Sequence, residues 1–107
     1  MSSPINLQGN DSVLMVVETI EAVLNKSEDL KKELLKLIPN SREQSGCLLY
    51  EISQNCENSH QFTVIMHWRD LESYNAHGTA EFIKRFEKNF EKVLYLSAEE
   101  RVYRKIY

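Results

Sequence analysis

From Val13 to Ile20 the chain reads Val-Leu-Met-Val-Val-Glu-Thr-Ile, with apolar, mostly β-branched side chains at both odd and even positions. Such a run predicts a strand covered on both faces, running on towards Leu24. Ser27 follows as a candidate N-cap, with Glu28 and Asp29 suited to the positive end of a helix dipole and Leu30, Leu34, Leu37 and Ile38 at helical spacing. Pro39 should end or bend that helix near Ile38, because it lacks an N–H and its ring crowds the preceding turn. After Gly46, Cys47 to Ser53 forms a second expected strand, Gln54 to His60 a polar turn, and Phe62 to Trp68 the antiparallel return strand. The two-residue period puts Phe62, Val64, Met66 and Trp68 on one face of that strand and Thr63, Ile65 and His67 on the other. Asp70 can cap a short helix through Asn75. Beyond Gly78 a longer helix from Ala80 to Leu94 carries Phe82, Ile83, Phe86, Phe90, Val93 and Leu94 on one stripe. Arg101 to Tyr107 is the expected last strand.

The resulting order, β-α-β-β-α-β with the second helical segment in two pieces, predicts an α+β, ferredoxin-like domain. Its four-stranded antiparallel sheet would carry both helical segments on one face. The strands are apolar on their other face too, and large apolar patches are uncommon on monomers, so a homodimer through the sheet face is expected. One domain over residues 13–107 accounts for the chain, with residues 1–12, rich in Ser, Asn, Gly and Asp, as a flexible N-terminal arm.

Composition narrows the function more than the fold. A formal net charge of -3 in 107 residues offers no positive field for nucleic acid or anionic lipid, so neither is an expected partner. No window approaches the roughly 18 apolar residues of a membrane span, and the N-terminus lacks the pattern of a secretory signal. Cys47 and Cys56 form neither a zinc motif nor a disulfide framework, which suits a cytoplasmic location.

The stretch from Pro39 through Ser41, Arg42, Gly46 and Cys47 to Tyr50 resembles the helix-to-strand junction of antibiotic biosynthesis monooxygenase domains, with Asn40 inserted. Trp68-Arg69-Asp70, then His77 and an aromatic helix, resembles that family's second block. Met66 stands where many members carry Glu, and the stretch from His77 to Phe82 is about one residue short. The resemblance covers roughly Val13 to Tyr107. It implies a dimeric α+β barrel with a pocket in each subunit between sheet and helices. In several members that pocket oxidises quinols, anthrones or polyphenols with molecular oxygen and without metal, flavin or haem; others are assigned isomerase or haem-degrading roles.

Among individual residues, His77 is the first candidate for proton transfer, since imidazole titrates near neutrality. Its plainer role is a helix-end histidine favoured by the dipole. Asn75 and Tyr74 could hold a developing oxyanion, although both are equally at home on a helix surface. Trp68 could wall an aromatic pocket and orient a substrate oxygen, with core packing as its main duty. Tyr50 is expected to face the helices and Glu51 the dimer side. Phe82 and Phe86 could line the cavity while serving the core. The three histidines and two cysteines show no ligand spacing, so no metal is expected, and the helix from Ala80 to Leu94 has no histidine to bind haem.

These expectations converge on a cofactor-independent monooxygenase acting on a small quinol, anthrone or polyphenol, with His77 and Asn75 catalytic and Trp68, Tyr50, Tyr74, Phe82 and Phe86 binding substrate. The alternatives are isomerisation of a small oxygenated metabolite in the same pocket, or a non-catalytic ligand-binding or dimerisation module.

Overall fold

The structure, a computed structural model, describes residues 12–107, so all of the expected N-terminal arm but Ser12 lies outside the described residues. Its elements are β1 (Leu14–Ala22), α1 (Ser27–Leu35), α2 (Leu37–Glu43), β2 (Cys47–Gln54), β3 (Gln61–Trp68), α3 (Leu71–Gly78), α4 (Glu81–Phe90) and β4 (Tyr95–Arg104). The sheet is antiparallel throughout in the order β2-β3-β1-β4, the ferredoxin-like arrangement.

Alternation on the strands decides which face the helices cover. Leu14, Val16, Ile20 and Ala22 of β1 are buried, as are Phe62, Val64, Met66 and Trp68 of β3, while the intervening residues are half-buried. Leu30 and Leu34 of α1, Leu71 and Tyr74 of α3, and Phe86 of α4 close over this inner face and complete the core. One inward position on β1 breaks the apolar stripe: Glu18, between Val16 and Ile20, is opposite Val64 on one side and Glu100 on the other.

The helices differ from expectation in instructive ways. Pro39 does not end a helix but occupies the first turn of α2, where its missing N–H has no intrahelical partner to lose. Ser27 is the first residue of α1 rather than its cap; Lys26 precedes the helix and supplies the carbonyl that accepts from the Leu30 N–H. Asp70 does cap α3, its Oδ1 accepting from the Ser73 N–H at 2.8 Å, but that helix continues past Asn75 to include His77 and Gly78. The largest correction falls at the C-terminal end. The aromatic helix stops at Phe90 instead of Leu94, and β4 starts at Tyr95 rather than Arg101. Pairing with the whole of β1 overrides the polar, helix-favouring composition of Ser97 to Glu100. Lys92, with φ 68°, makes the turn between them.

Gly46 joins α2 to β2 at φ 87°, a conformation glycine adopts without strain. A side chain there would also collide with the Ser73 hydroxyl and Cβ, so glycine lets α3 pack directly against this junction.

Candidate active site

Between the inner face of the sheet and the helices lies a cavity of about 570 Å³, within the usual range for small-molecule sites. Ile20, Leu34, Leu37, Val64, Ile83 and Ala98 give it apolar walls, and Tyr50, Phe86 and Tyr95 give it aromatic ones. Among the described residues, its lining also includes His77 and four glutamates, Glu18, Glu87, Glu91 and Glu100.

His77 is placed by both halves of the family-like sequence. It sits in the last turn of α3 with 1% exposure, its ring 4.7 Å from that of Trp68, 5.7 Å from Tyr50 and 6.1 Å from Phe82. Its Nδ1 lies 2.6 Å from Oε1 of Gln44 at the end of α2. An amide oxygen can only accept, so Nδ1 carries the proton and Nε2 is left as the acceptor. Burial pushes the imidazole down to about 4, which keeps it neutral at physiological pH. His77 is therefore a fixed, neutral hydrogen-bonding group and a weak base.

The stronger base is one the sequence reading passed over. Glu18 projects from the central strand into the cavity, and its carboxyl is raised to about 7, first by burial and second by the like charge of Glu100 opposite it. Tyr74 donates from its hydroxyl to Oε1 of Glu100 at 2.5 Å, so α3 fixes that second carboxylate from above the sheet. Burial also raises the Tyr50 and Tyr95 phenols, and both remain protonated donors near neutrality. The signal for Glu18 was present in its parity with Leu14, Val16 and Ile20. Glu100 was hidden because the last strand was expected to begin one residue after it.

Of the residues expected at the site, His77, Tyr50 and Phe86 line the cavity. Tyr74 reaches it through Glu100, and Phe82 only by contact with the His77 ring. Trp68 is fully buried, and its Nε1 donates to the Met66 sulfur at 3.4 Å, so the indole N–H is turned into the core rather than towards a ligand. Asn75 lies outside the lining, half-buried, with its backbone carbonyl accepting from the Thr79 N–H and hydroxyl. The Pro-to-Tyr junction is largely scaffolding: Ser41 is fully buried, and Arg42 donates through Nε and Nη2 to the Tyr50 carbonyl at 3.2 and 2.8 Å, locking α2 to β2. Among the described residues no three His, Cys, Asp or Glu side chains converge to hold a metal ion, and no helix is long and apolar enough to cross a membrane.

Residues 13–93 match the family model for antibiotic biosynthesis monooxygenases. The chain belongs to that family. None of the curated proteins matches it in sequence. A solved structure of a Pseudomonas aeruginosa protein is 28% identical with a TM-score of 0.84, covering 92% of this chain and 98% of that one. Two more distant structures show the same fold. One, from Deinococcus radiodurans and named as a candidate antibiotic biosynthesis monooxygenase, has 18% identity and a TM-score of 0.82 over 88% and 93% of the two chains. A Methanosarcina mazei protein has 23% identity and a TM-score of 0.81 over 91% and 96%. The Glu18 carboxylate on the central strand is thus set within an antibiotic biosynthesis monooxygenase domain, in the cavity between its sheet and helices.

Proposed function

We propose that this cavity binds a small phenol, quinol or anthrone and oxidises it with molecular oxygen, without a resident cofactor. The observation that carries this reading is Glu18: a single inward carboxyl on β1, poised near neutrality within a partly open cavity walled by apolar and aromatic side chains in this family's fold. Glu18 takes the phenolic proton, a role for which a group titrating near the working pH is best matched. The Tyr50 hydroxyl and neutral His77 position the substrate oxygen, and Phe86 and the apolar walls keep water from the electron-rich anion.

The chemistry balances with oxygen as the only oxidant. The phenolate passes one electron to oxygen, and the radical pair joins at an open ring carbon ortho or para to the oxygen, forming a C–O bond. Protonated Glu18 returns its proton to the peroxide. Loss of the C–H proton from that same carbon with cleavage of the O–O bond then gives the quinone and one water, so one oxygen atom enters the product and the other leaves reduced. His77 and Asn75, the residues first expected to carry catalysis, become in this scheme a positioning group and a helix residue outside the pocket.

We also propose that two copies pair through the outer sheet face. Met15 and Val17 of β1, Leu49 of β2 and Ile65 of β3 lie there only half-buried in the single chain, a strip that a second sheet would cover. Light scattering should then give twice the 12.5 kDa chain mass.

Oxygen uptake by the purified protein against a panel of hydroquinones, anthrones and simple phenols tests the oxidation. Saturable uptake with one labelled oxygen atom per quinone supports it. Turnover of an oxygenated substrate without uptake would instead assign Glu18 to an isomerase, and binding without any turnover would assign the domain to ligand capture.

A further inference from the structure

We propose that Gln44 is a positioning residue: by accepting the Nδ1–H of His77 it holds the Nε2 lone pair towards the cavity, and the site therefore selects rings whose second hydroxyl can donate to that nitrogen. The inference rests on reading this cavity as the substrate site.

The fold brings the pair together from both sides. Gln44 is the residue at which the backbone leaves α2, in an extended conformation at ψ 140°. Its N–H donates to the Ser41 carbonyl and its own carbonyl accepts from the Cys47 N–H, so the turn is tied at both ends. Gly46, without a Cβ, lets Ser73 of α3 pack onto this turn. His77 lies one helical turn beyond Ser73, and both are buried, so the same face of α3 that meets Gly46 carries the imidazole to its 2.6 Å contact with Gln44.

The other ring nitrogen is the one a substrate meets. His77 is 1% exposed and lines the cavity, whereas Gln44 does not, which puts the Nε2 edge of the ring on the open space. Nε2 has no hydrogen-bond partner among the described residues. The indole of Trp68, its ring centroid 4.7 Å from that of His77, gives its N–H to the Met66 sulfur instead. Burial keeps the imidazole neutral near pH 7, so Nε2 does not become a donor by taking up a proton. A desolvated acceptor left without a donor is costly, and a site built around one rejects an analogue that lacks the donating hydroxyl. With one phenolic hydroxyl at Glu18, a second supplies the missing donor, and a methyl ether in its place leaves the nitrogen unmet. Without the Gln44 oxygen the proton would move to Nε2, which would then donate, and the preference would disappear or reverse.

Nitrogen NMR of the isotopically labelled protein at pH 7.5, with the His77 signals assigned by their loss in His77→Gln, should show the proton on Nδ1 and a bare Nε2. Calorimetric titration with catechol, resorcinol and hydroquinone, each against its monomethyl ether, should give the tightest-binding diphenol an affinity at least about tenfold above that of its ether, the worth of one hydrogen bond to a buried acceptor. In Gln44→Leu, with folding checked by circular dichroism, the proton should move to Nε2 and the affinity ratio should fall to one or below; a role in packing alone would move neither. A wild-type proton on Nε2, ethers bound as tightly as the diphenols, no binding of any of these compounds, or a preference that survives in folded Gln44→Leu would overturn the proposal. The wild-type tautomer and ratio decide it if Gln44→Leu does not fold. Because both are read without turnover, a diphenol preference in a protein that takes up no oxygen would sustain this inference while removing the oxygenase reading.

Discussion

Replacing Glu18 with Gln removes a carboxyl whose ionisation the fold opposes, and the effect on stability should change with pH in a calculable way. The folded protein holds this group at about 7 against an ordinary 4.5, through burial and the facing Glu100, with Glu87 adding to the same direction from across the cavity. At about 1.4 kcal/mol per tenfold difference, full ionisation costs the native state about 3 kcal/mol. The folded state binds the proton more tightly than the unfolded chain, so native stability grows as pH falls from 7 towards 4.5, and the cost is fully in force above 7. Gln keeps the volume and cannot ionise. Relative to wild type, Glu18→Gln should therefore gain about 2–3 kcal/mol between pH 5 and pH 8. Urea unfolding followed by circular dichroism at both values, at one ionic strength, measures this directly, provided the slopes agree. A wild-type-to-mutant difference that stays constant between the two pH values would refute the claim that Glu18 is raised by its surroundings.

His77 works in the opposite sense: its folded value of about 4 lies below the ordinary 6.5, so the unfolded chain takes the proton first and stability falls as pH drops from 6.5 to about 4, by about 3 kcal/mol in full. That loss should emerge clearly in the Glu18→Gln background, where the opposing contribution of Glu18 is gone, and should vanish from urea midpoints when His77→Gln is added. Gly46→Ala should destabilise by at least about 2 kcal/mol, since the new Cβ is both strained at positive φ and driven into Ser73; a thermal midpoint unchanged from wild type would contradict the close approach of α3 to that turn. Ile65→Lys on the outer sheet face should give a folded single-chain mass in light scattering, whereas an unchanged dimer would place the interface elsewhere.

The fold was legible in the sequence wherever one period dominated. The apolar run of β1, the strict alternation of β3 and the Asp70 cap each point to a single local structure, and the two strands and the start of α3 are observed where they put them. Legibility failed where long-range pairing outweighs local preference. Ser97 to Glu100 has the composition of a helix, yet β1 recruits it as an edge strand, and with it Glu100 enters the cavity. Sequence also gave weight to residue types instead of addresses. His77 was singled out because imidazole titrates near neutrality, but burial among Trp68, Tyr50 and Phe82 removes that property, while the same burial brings the ordinary carboxyl of Glu18 into the useful range. Trp68 is expected mainly to pack the core and secondarily to orient a ligand oxygen; the packing is observed, and the thioether of Met66, in the place where many members of the family carry Glu, takes the indole N–H. Such exchanges depend on which side chains meet across the sheet, which no local pattern encodes.

The central claim is that Glu18 removes a proton from the substrate in an oxygen-consuming oxidation. It is tested most directly by the pH dependence of kcat/KM for oxygen uptake, from pH 5 to pH 9, with a 3-substituted phenol identified as a substrate. Wild type should rise with unit slope to a plateau above about pH 7, the value at which the cavity holds Glu18, and Glu18→Gln should lose at least about 100-fold of the plateau rate together with that step. A Glu18→Gln profile that keeps both the rate and the step would contradict the account.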